Sequence, residues 1–379
     1  MRVAYATTYA ADDITQWSGL GYYIAQSLRH APLHVDLIGP LYDIYPWVWK
    51  LKKAFYRYGR RQNYYRDREL ALVGSYGRQL AQRLDGKATD VVFSPSSIPI
   101  ALLETKQPII IWTDATFAGV VDFYPGFSQL CRETLVNGNA LEQAALTRCR
   151  LAIYSSDWAA QTAIRHYHID PSKVRVVPYG ANIESSFTAE EIRDMVGQRP
   201  TDSCNLLFLG VDWLRKGGDV ALQVAQELNR QGLPTKLHIV GCVPPGRLPN
   251  WVIVHGFVSK ARPEGRRLIN QLLAEAHFLI LPTRADCVPV ALAEANAFAV
   301  PVLTSDVGGI TTVVREGLNG QAFAVEASSD AYCAFIWNCM SRDGAYRQLA
   351  LSAFAEYQSR LNWMVAGQRV RDLLQEVCQ

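Results

Sequence analysis

Long apolar runs are missing from this sequence. None approaches the ~20 residues a helix needs to cross a bilayer, so a soluble or peripherally bound chain is expected. A charge excess is missing too: 38 Lys and Arg face 35 Asp and Glu, and the net +3 does not by itself point to a nucleic-acid partner. The eight cysteines are few and scattered, with no CxxC, which suits a reducing cytosol better than a disulfide framework. The seven histidines form no HExxH and no Cys/His ligand spacing, so no metal site is expected. There is no Gly-x-Ser-x-Gly nucleophile elbow, no GxxxxGK[ST] phosphate loop, and no GxGxxG directly after the first strand.

What is present fits a large folded core. Hydrophobic residues make up 49% of the chain and charged residues 19%, which argues against disorder. A length of 379 residues suggests about two domains. Met1–Ala6 opens directly as a strand, so no signal peptide is expected and the protein is placed in the cytoplasm.

The most informative stretch is 278–320. Phe278-Leu279-Ile280-Leu281 reads as a buried parallel strand stopped by Pro282, followed by a polar turn and a helix from Val290 to about Phe298. A second short strand at Pro301–Leu303 and a Gly308-Gly309 turn complete a strand–loop–helix–strand unit. In such units the ligand sits where strand gives way to helix. Two carboxylates, Asp286 in the loop and Glu294 in the helix, lie eight positions apart. At ~100° per residue they return to nearly the same face. The helix start, at Val290 and Ala291, offers unpaired N–H groups suited to a diphosphate. The spacing alone also fits a surface carboxylate and an exposed helix glutamate.

Elsewhere, Val3–Ala6 reads as the first strand, followed by a long polar loop and Gly19-x-Gly21 at the start of a helix that runs to about His30. From Tyr42 to Arg68 aromatics alternate with bases, a mix suited to stacking, an anionic membrane surface, a sugar acceptor, or a plain solvated helical hairpin. Strands at 90–93 and 108–112 end in polar loops, the second carrying Asp114. Ser156 or Asp157 is expected as a helix cap. In the second half, strands at 205–209, 236–240, 252–255 and 278–281 alternate with helical segments. After the first of these, Gly210 to Gly218 places Arg215 and Lys216 at a helix start, a phosphate cradle that is not a Walker loop.

Together these residues resemble the retaining glycosyltransferases of family 4, which have the GT-B fold. The resemblance rests on Asp286-(seven residues)-Glu294-Ala295, Pro301-Val302, Gly308-Gly309 and the earlier Lys216-Gly217, and is strongest over 205–320. It implies an α/β fold of two Rossmann-like doubly wound domains facing a central cleft. The N-terminal acceptor-side domain would span 1–182, a connection 183–203, and the donor domain 204–362. A C-terminal helix, 363–379, would cross back to the first domain.

The implied activity is transfer of a sugar, without a metal or other cofactor, from a nucleotide diphospho-sugar to a carbohydrate or lipid-linked acceptor. Glu294 would hold ribose, Asp286 the donor sugar, and Lys216 with the helix start the diphosphate. Gly19 would approach the diphosphate from the first domain, and Asp114 would bind a hydroxyl. Four positions depart from the family pattern. Asp286 replaces a glutamate, Pro289 a loop glycine, Val211 an arginine, and Asp114 a common histidine, so Arg215 becomes the candidate second cation. Two rivals share the fold: a sugar-nucleotide epimerase and a non-catalytic sugar-nucleotide sensor. Work on envelope glycans or glycolipids is expected, with segment 42–68 as a possible contact with an anionic membrane at its inner face, and no nucleic-acid partner.

Overall fold

Short runs of Val, Ile, Leu and Phe become the strands of two parallel sheets. The structure is a computed structural model that describes residues 1–30, 33–184 and 187–378. It divides into two units: Met1–Pro178 together with the residues from Ala366 on, and Tyr179–Val365.

The first unit holds β1 (Arg2–Ala6), β2 (His34–Ile38), β3 (Val91–Ser94), β4 (Ile109–Thr113), β5 (Cys149–Tyr154) and β6 (Val174–Val176). Their order is β2-β1-β3-β4-β5-β6. The second holds β7 (Cys204–Leu209), β8 (Thr235–Val240), β9 (Val252–Gly256), β10 (Phe278–Leu281), β11 (Val302–Ser305) and β12 (Gly320–Phe323), in the order β12-β11-β10-β7-β8-β9. Strands covered on both faces must be apolar throughout, and all four residues of β10 are buried.

The second order has a functional consequence. The chain builds β7, β8 and β9 in one direction, then returns to lay β10 on the other side of β7, with Leu279 opposite Leu207. The loops after β7 and β10 therefore leave neighbouring strands toward opposite sides, opening a crevice at their carboxyl ends. The first sheet does the same at β1 and β3.

Local signals set the helix starts. Ser156 Oγ accepts the Ala159 N–H at 3.3 Å and caps the helix Asp157–Tyr167. Residues 183–203, expected as a connection, belong to the second unit, with Ser185 and Ser186 outside the described residues. They carry the helix Ala189–Gly197, started by a Thr188/Glu191 capping box, and Ile192 and Val196 pack against Ala299, Ala350 and Phe354. The last helix, Trp363–Cys378, turns Ala366, Val370 and Leu374 inward at four-residue spacing. It brings Gly367 against the backbone of Ser27, where a Cβ would have no room.

Segment 42–68 is a helix, Pro46–Ala54, continued by a π-helical turn, Phe55–Arg60. Trp49 is buried and donates its indole N–H to the Ile44 carbonyl at 2.7 Å. Lys52 is held by Glu69 at 2.5 Å and Glu133 at 2.8 Å. These two side chains build the core rather than a surface.

His277, at the start of β10, is fully buried. The Asn205 N–H donates to its Nδ1 at 2.9 Å, and its Nε2 lies 2.8 Å from the Pro200 carbonyl, which assigns the neutral Nε2–H form. Burial pushes the imidazole down to about 4, against a rise from the Pro200 carbonyl and a further lowering by Arg199. A proton on Nδ1 would face the Asn205 N–H. The unfolded imidazole, near 6.5, therefore protonates first, and His277's contribution to stability is full above that pH and lost as pH falls toward 4. Urea unfolding from pH 7 to 4 is expected to show a stability slope that His277→Asn makes shallower by up to about 1.4 kcal/mol per pH unit. Identical slopes in the two proteins would contradict this assignment.

Candidate functional site

The site is built where β7 and β10 end. After β7, Asp212 shapes the turn: its Oδ1 accepts the Arg215 N–H at 3.0 Å and its carbonyl accepts the Lys216 N–H at 3.0 Å. Gly217 follows in the left-handed region, φ 74°, with its Cα against the Pro282 carbonyl. A Cβ there would strike that carbonyl, so only glycine lets Lys216 sit beside the end of β10.

The loop after β10 is stitched to the same turn. Thr283 Oγ1 donates to the Arg215 carbonyl at 3.1 Å and the Arg284 N–H to the same carbonyl at 2.7 Å. Arg284 forks onto Asp219, both contacts 2.8 Å, at the start of the helix Gly218–Arg230. The Arg284 hydrogen bond holds the Asp219 carboxyl below its usual range against the opposing effect of burial.

Asp286 and Glu294 are both buried, and each is paired with a cation. Asp286 is 7% exposed, and its Oδ2 accepts both Lys216 Nζ and Arg215, the latter at 3.3 Å. Arg215 also donates to the Ala285 carbonyl at 2.8 Å. Glu294 is 2% exposed and is paired by Lys260, from the loop after β9. A buried carboxylate without a cation is costly, so both pairings are requirements of the fold as much as features of a site. Between the two carboxylates, Val290 and Ala291 open the helix Val290–Ala297 after Pro289. The Gly309 N–H donates to the Cys287 carbonyl at 2.7 Å, joining the Gly-Gly turn to the same loop. At the far end of the helix, buried Arg199 donates to the Phe298 and Ala299 carbonyls, both at 2.7 Å.

The structure thus brings together Lys216, Arg215 and Asp286, and places Glu294 along the helix that Val290 and Ala291 begin. Lys260 was missed by sequence reasoning: it follows a strand end, but nothing local marks it as the partner of Glu294. Gly19 and Asp114 belong to the first unit. Gly19 closes the turn Gln16–Gly19 ahead of the helix Leu20–His30, and Asp114 follows β4. Tyr9, also unmarked in the sequence, lies near Asp114. Burial and then the Asp114 carboxylate push its phenol up to about 12, and its buried hydroxyl has no hydrogen-bond partner among the described residues. Among the described residues no group of three or more His, Cys, Asp or Glu could hold a metal ion.

Residues 203–341 match the family model described as glycosyl transferases group 1. The chain is 26% identical over 252 residues to a D-inositol 3-phosphate glycosyltransferase of Xylanimonas cellulosilytica, covering 61% of this chain and 58% of that protein. It spans about half the length of the curated relatives it matches. Among solved structures it resembles the apo form of the lipopolysaccharide outer core galactosyltransferase WaaB, with a TM-score of 0.65, 14% identity and 99% of each chain covered. It also resembles Anabaena Alr3699/HepE in complex with UDP and glucose, with a TM-score of 0.64, 16% identity, and 99% of this chain and 100% of that one covered. At these identities the likeness carries the fold, which is GT-B with two Rossmann-like domains.

Gly217→Ala tests how far the site depends on its turn. A side chain in that backbone conformation, facing a carbonyl, is expected to cost about 1–3 kcal/mol in urea unfolding. Gly232→Ala is the control, since it shares the positive φ but has open space around its Cα. Equal losses in the two variants would mean that backbone strain alone, rather than the approach to Pro282, sets the need for glycine.

Proposed function

We propose that this chain, whose residues 203–341 match the family model described as glycosyl transferases group 1, is a retaining, metal-independent glycosyltransferase. It moves a sugar from a UDP- or GDP-sugar to an acceptor hydroxyl. The observation that carries this reading is the meeting of Lys216 and Arg215 with Asp286 beside a helix start, at the crevice between β7 and β10.

In the reaction the bond from the sugar's anomeric carbon to the diphosphate breaks and the acceptor oxygen takes its place. Negative charge gathers on the leaving diphosphate, where Lys216, Arg215 and the N–H groups of Val290 and Ala291 stabilise it. With the diphosphate bound, the two cations gain a more strongly charged anion, and Asp286 is freed to accept a hydrogen bond from the donor sugar. Glu294 accepts from the ribose, with Lys260 beside it. The named ligands of the HepE complex, UDP and glucose, support a nucleotide-sugar donor. The D-inositol 3-phosphate glycosyltransferase and the lipopolysaccharide galactosyltransferase support a polyhydroxyl or envelope-glycan acceptor. The work is placed at the cytoplasmic face of a membrane, on carbohydrate or lipid-linked acceptors.

Thermal shift with UDP-, GDP- and ADP-sugars selects the donor, because ligand binding stabilises by mass action. With that donor, Lys216→Ala is expected to lower kcat/KM by about two orders of magnitude or more. It leaves the unfolding midpoint close to wild type, since Asp286 keeps Arg215. Near-normal turnover in the folded variant would remove Lys216 from the mechanism.

The carboxylates divide the ligand between them. In calorimetry, Asp286→Asn is expected to weaken the nucleotide sugar while the free nucleoside diphosphate binds at least as tightly as to wild type, because the carboxylate that competes for Lys216 and Arg215 is gone, whereas Glu294→Gln weakens both. Equal losses for both ligands in the Asp286 variant would overturn this division.

A further inference from the structure

One face of the helix at 46–60 is exposed, and its composition is uneven. Trp47, Leu51, Phe55 and Tyr58 recur at spacings of four, four and three and form a single stripe. They are 64%, 63%, 57% and 77% exposed, which is unusual for large apolar side chains gathered on one face. The same segment carries Lys50, Lys53, Arg57, Arg60 and Arg61, all exposed and none with an ion-pair partner among the described residues, and of these Lys50 lies within about 60° of Trp47 around the helix. Of the other three bases of segment 42–68, Lys52 is paired with Glu69 and Glu133, exposed Arg66 is paired with Asp43, and Arg68 lies over the Phe117 ring. No acidic residue lies between Asp43 and Asp67. The opposite side, with Trp49 and Lys52, is anchored to the first unit, so the exposed face is held outward by the core.

We propose that this face is a docking surface for an anionic phospholipid bilayer, with the helix lying in the plane of the interface. The inference rests on the membrane-side part of the proposed function and narrows it from a segment to one helix face. The charge argues for lipid. A protein partner of mixed charge would leave unpaired bases, whereas a sheet of anionic headgroups offers negative charge to every base that borders the stripe. The apolar stripe argues the same way, since Trp and Tyr beside Leu and Phe match the boundary between headgroups and acyl chains. Trp49, the other tryptophan of the segment, takes no part because it is committed to the core.

The test is co-sedimentation of the full-length protein with phosphatidylglycerol/phosphatidylcholine vesicles and with pure phosphatidylcholine vesicles, at low and raised salt. Wild type is expected to bind the anionic vesicles at low salt and to leave the neutral ones in solution. A Lys50/Lys53/Arg57→Gln variant is expected to bind roughly a hundredfold more weakly, at about fivefold per base near the surface. A Trp47/Leu51/Phe55→Ser variant keeps charge-driven adsorption at low salt but loses whatever binding survives raised salt. Both variants must retain the wild-type thermal shift with the nucleotide sugar, which shows that they are folded.

Wild type that ignores anionic vesicles at low salt, or binds neutral ones equally well, overturns the proposal. So does a dimer in sedimentation velocity that the serine variant breaks while vesicles go unbound, which assigns the face to a second copy. Vesicle binding is read without donor or acceptor, and nucleotide-sugar binding without lipid. Either reading can therefore fail while the other stands.

Discussion

A carboxylate removed from water must meet a cation, and the second unit is arranged around meeting that demand twice. Asp286 draws two cations out of the β7 turn, and that turn can reach it only because Gly217 lies flat on the Pro282 carbonyl. Glu294 draws a third from the loop after β9. The loops of β7, β9 and β10 are thereby tied to one another by charge, reinforced by the Arg284 fork on Asp219. Strand order supplies the crevice, and the ion pairs fix its lining. The two carboxylates differ in redundancy. Asp286 keeps a cation if either partner is lost, whereas the structure gives Glu294 only Lys260 among the described residues.

The same arrangement bears on how a charged ligand enters. Asp286 already faces Lys216 and Arg215, so under the proposed function an anion that binds these cations must offer more charge than Asp286 does. A diphosphate meets that condition where a lone carboxylate does not. The protein provides the positive side of this exchange with side chains and a helix start, groups that need no assembly before the ligand arrives.

Most of the strands could be read from the sequence because parallel strands covered on both faces leave an unmistakable run, as Phe278–Leu281 does. The loops that matter could be read for a related reason: chemistry gathers at the carboxyl ends of such strands, and Lys216 and Asp286 both stand there. Other features were hidden by physics that no short window contains. The partnership of Lys260 with Glu294 joins loops 34 residues apart and leaves no local pattern. The helix at 189–197 shows mostly charge, and its two buried residues, Ile192 and Val196, form too narrow a stripe to stand out, although Thr188 and Glu191 do carry the cap signal. Trp47 and Trp49 look equivalent in the sequence. Two positions on a helix differ by about 200°, so one faces solvent and the other the core.

The last helix has a consequence for the order in which the protein is made. Its residues from Ala366 on belong to the unit that begins at Met1, and Gly367 closes against Ser27. On the ribosome, the whole of Tyr179–Val365 emerges while the unit begun first still lacks part of its wall. The first sheet can form early, but the face that Val370 and Leu374 cover stays open until the helix at 363–378 has been made. The later-made unit is therefore able to complete first, and the slow step falls to a contact spanning nearly the full chain. A nonsense codon just before Ala366 would therefore do its damage in the unit that begins at Met1, whose sheet had long been translated.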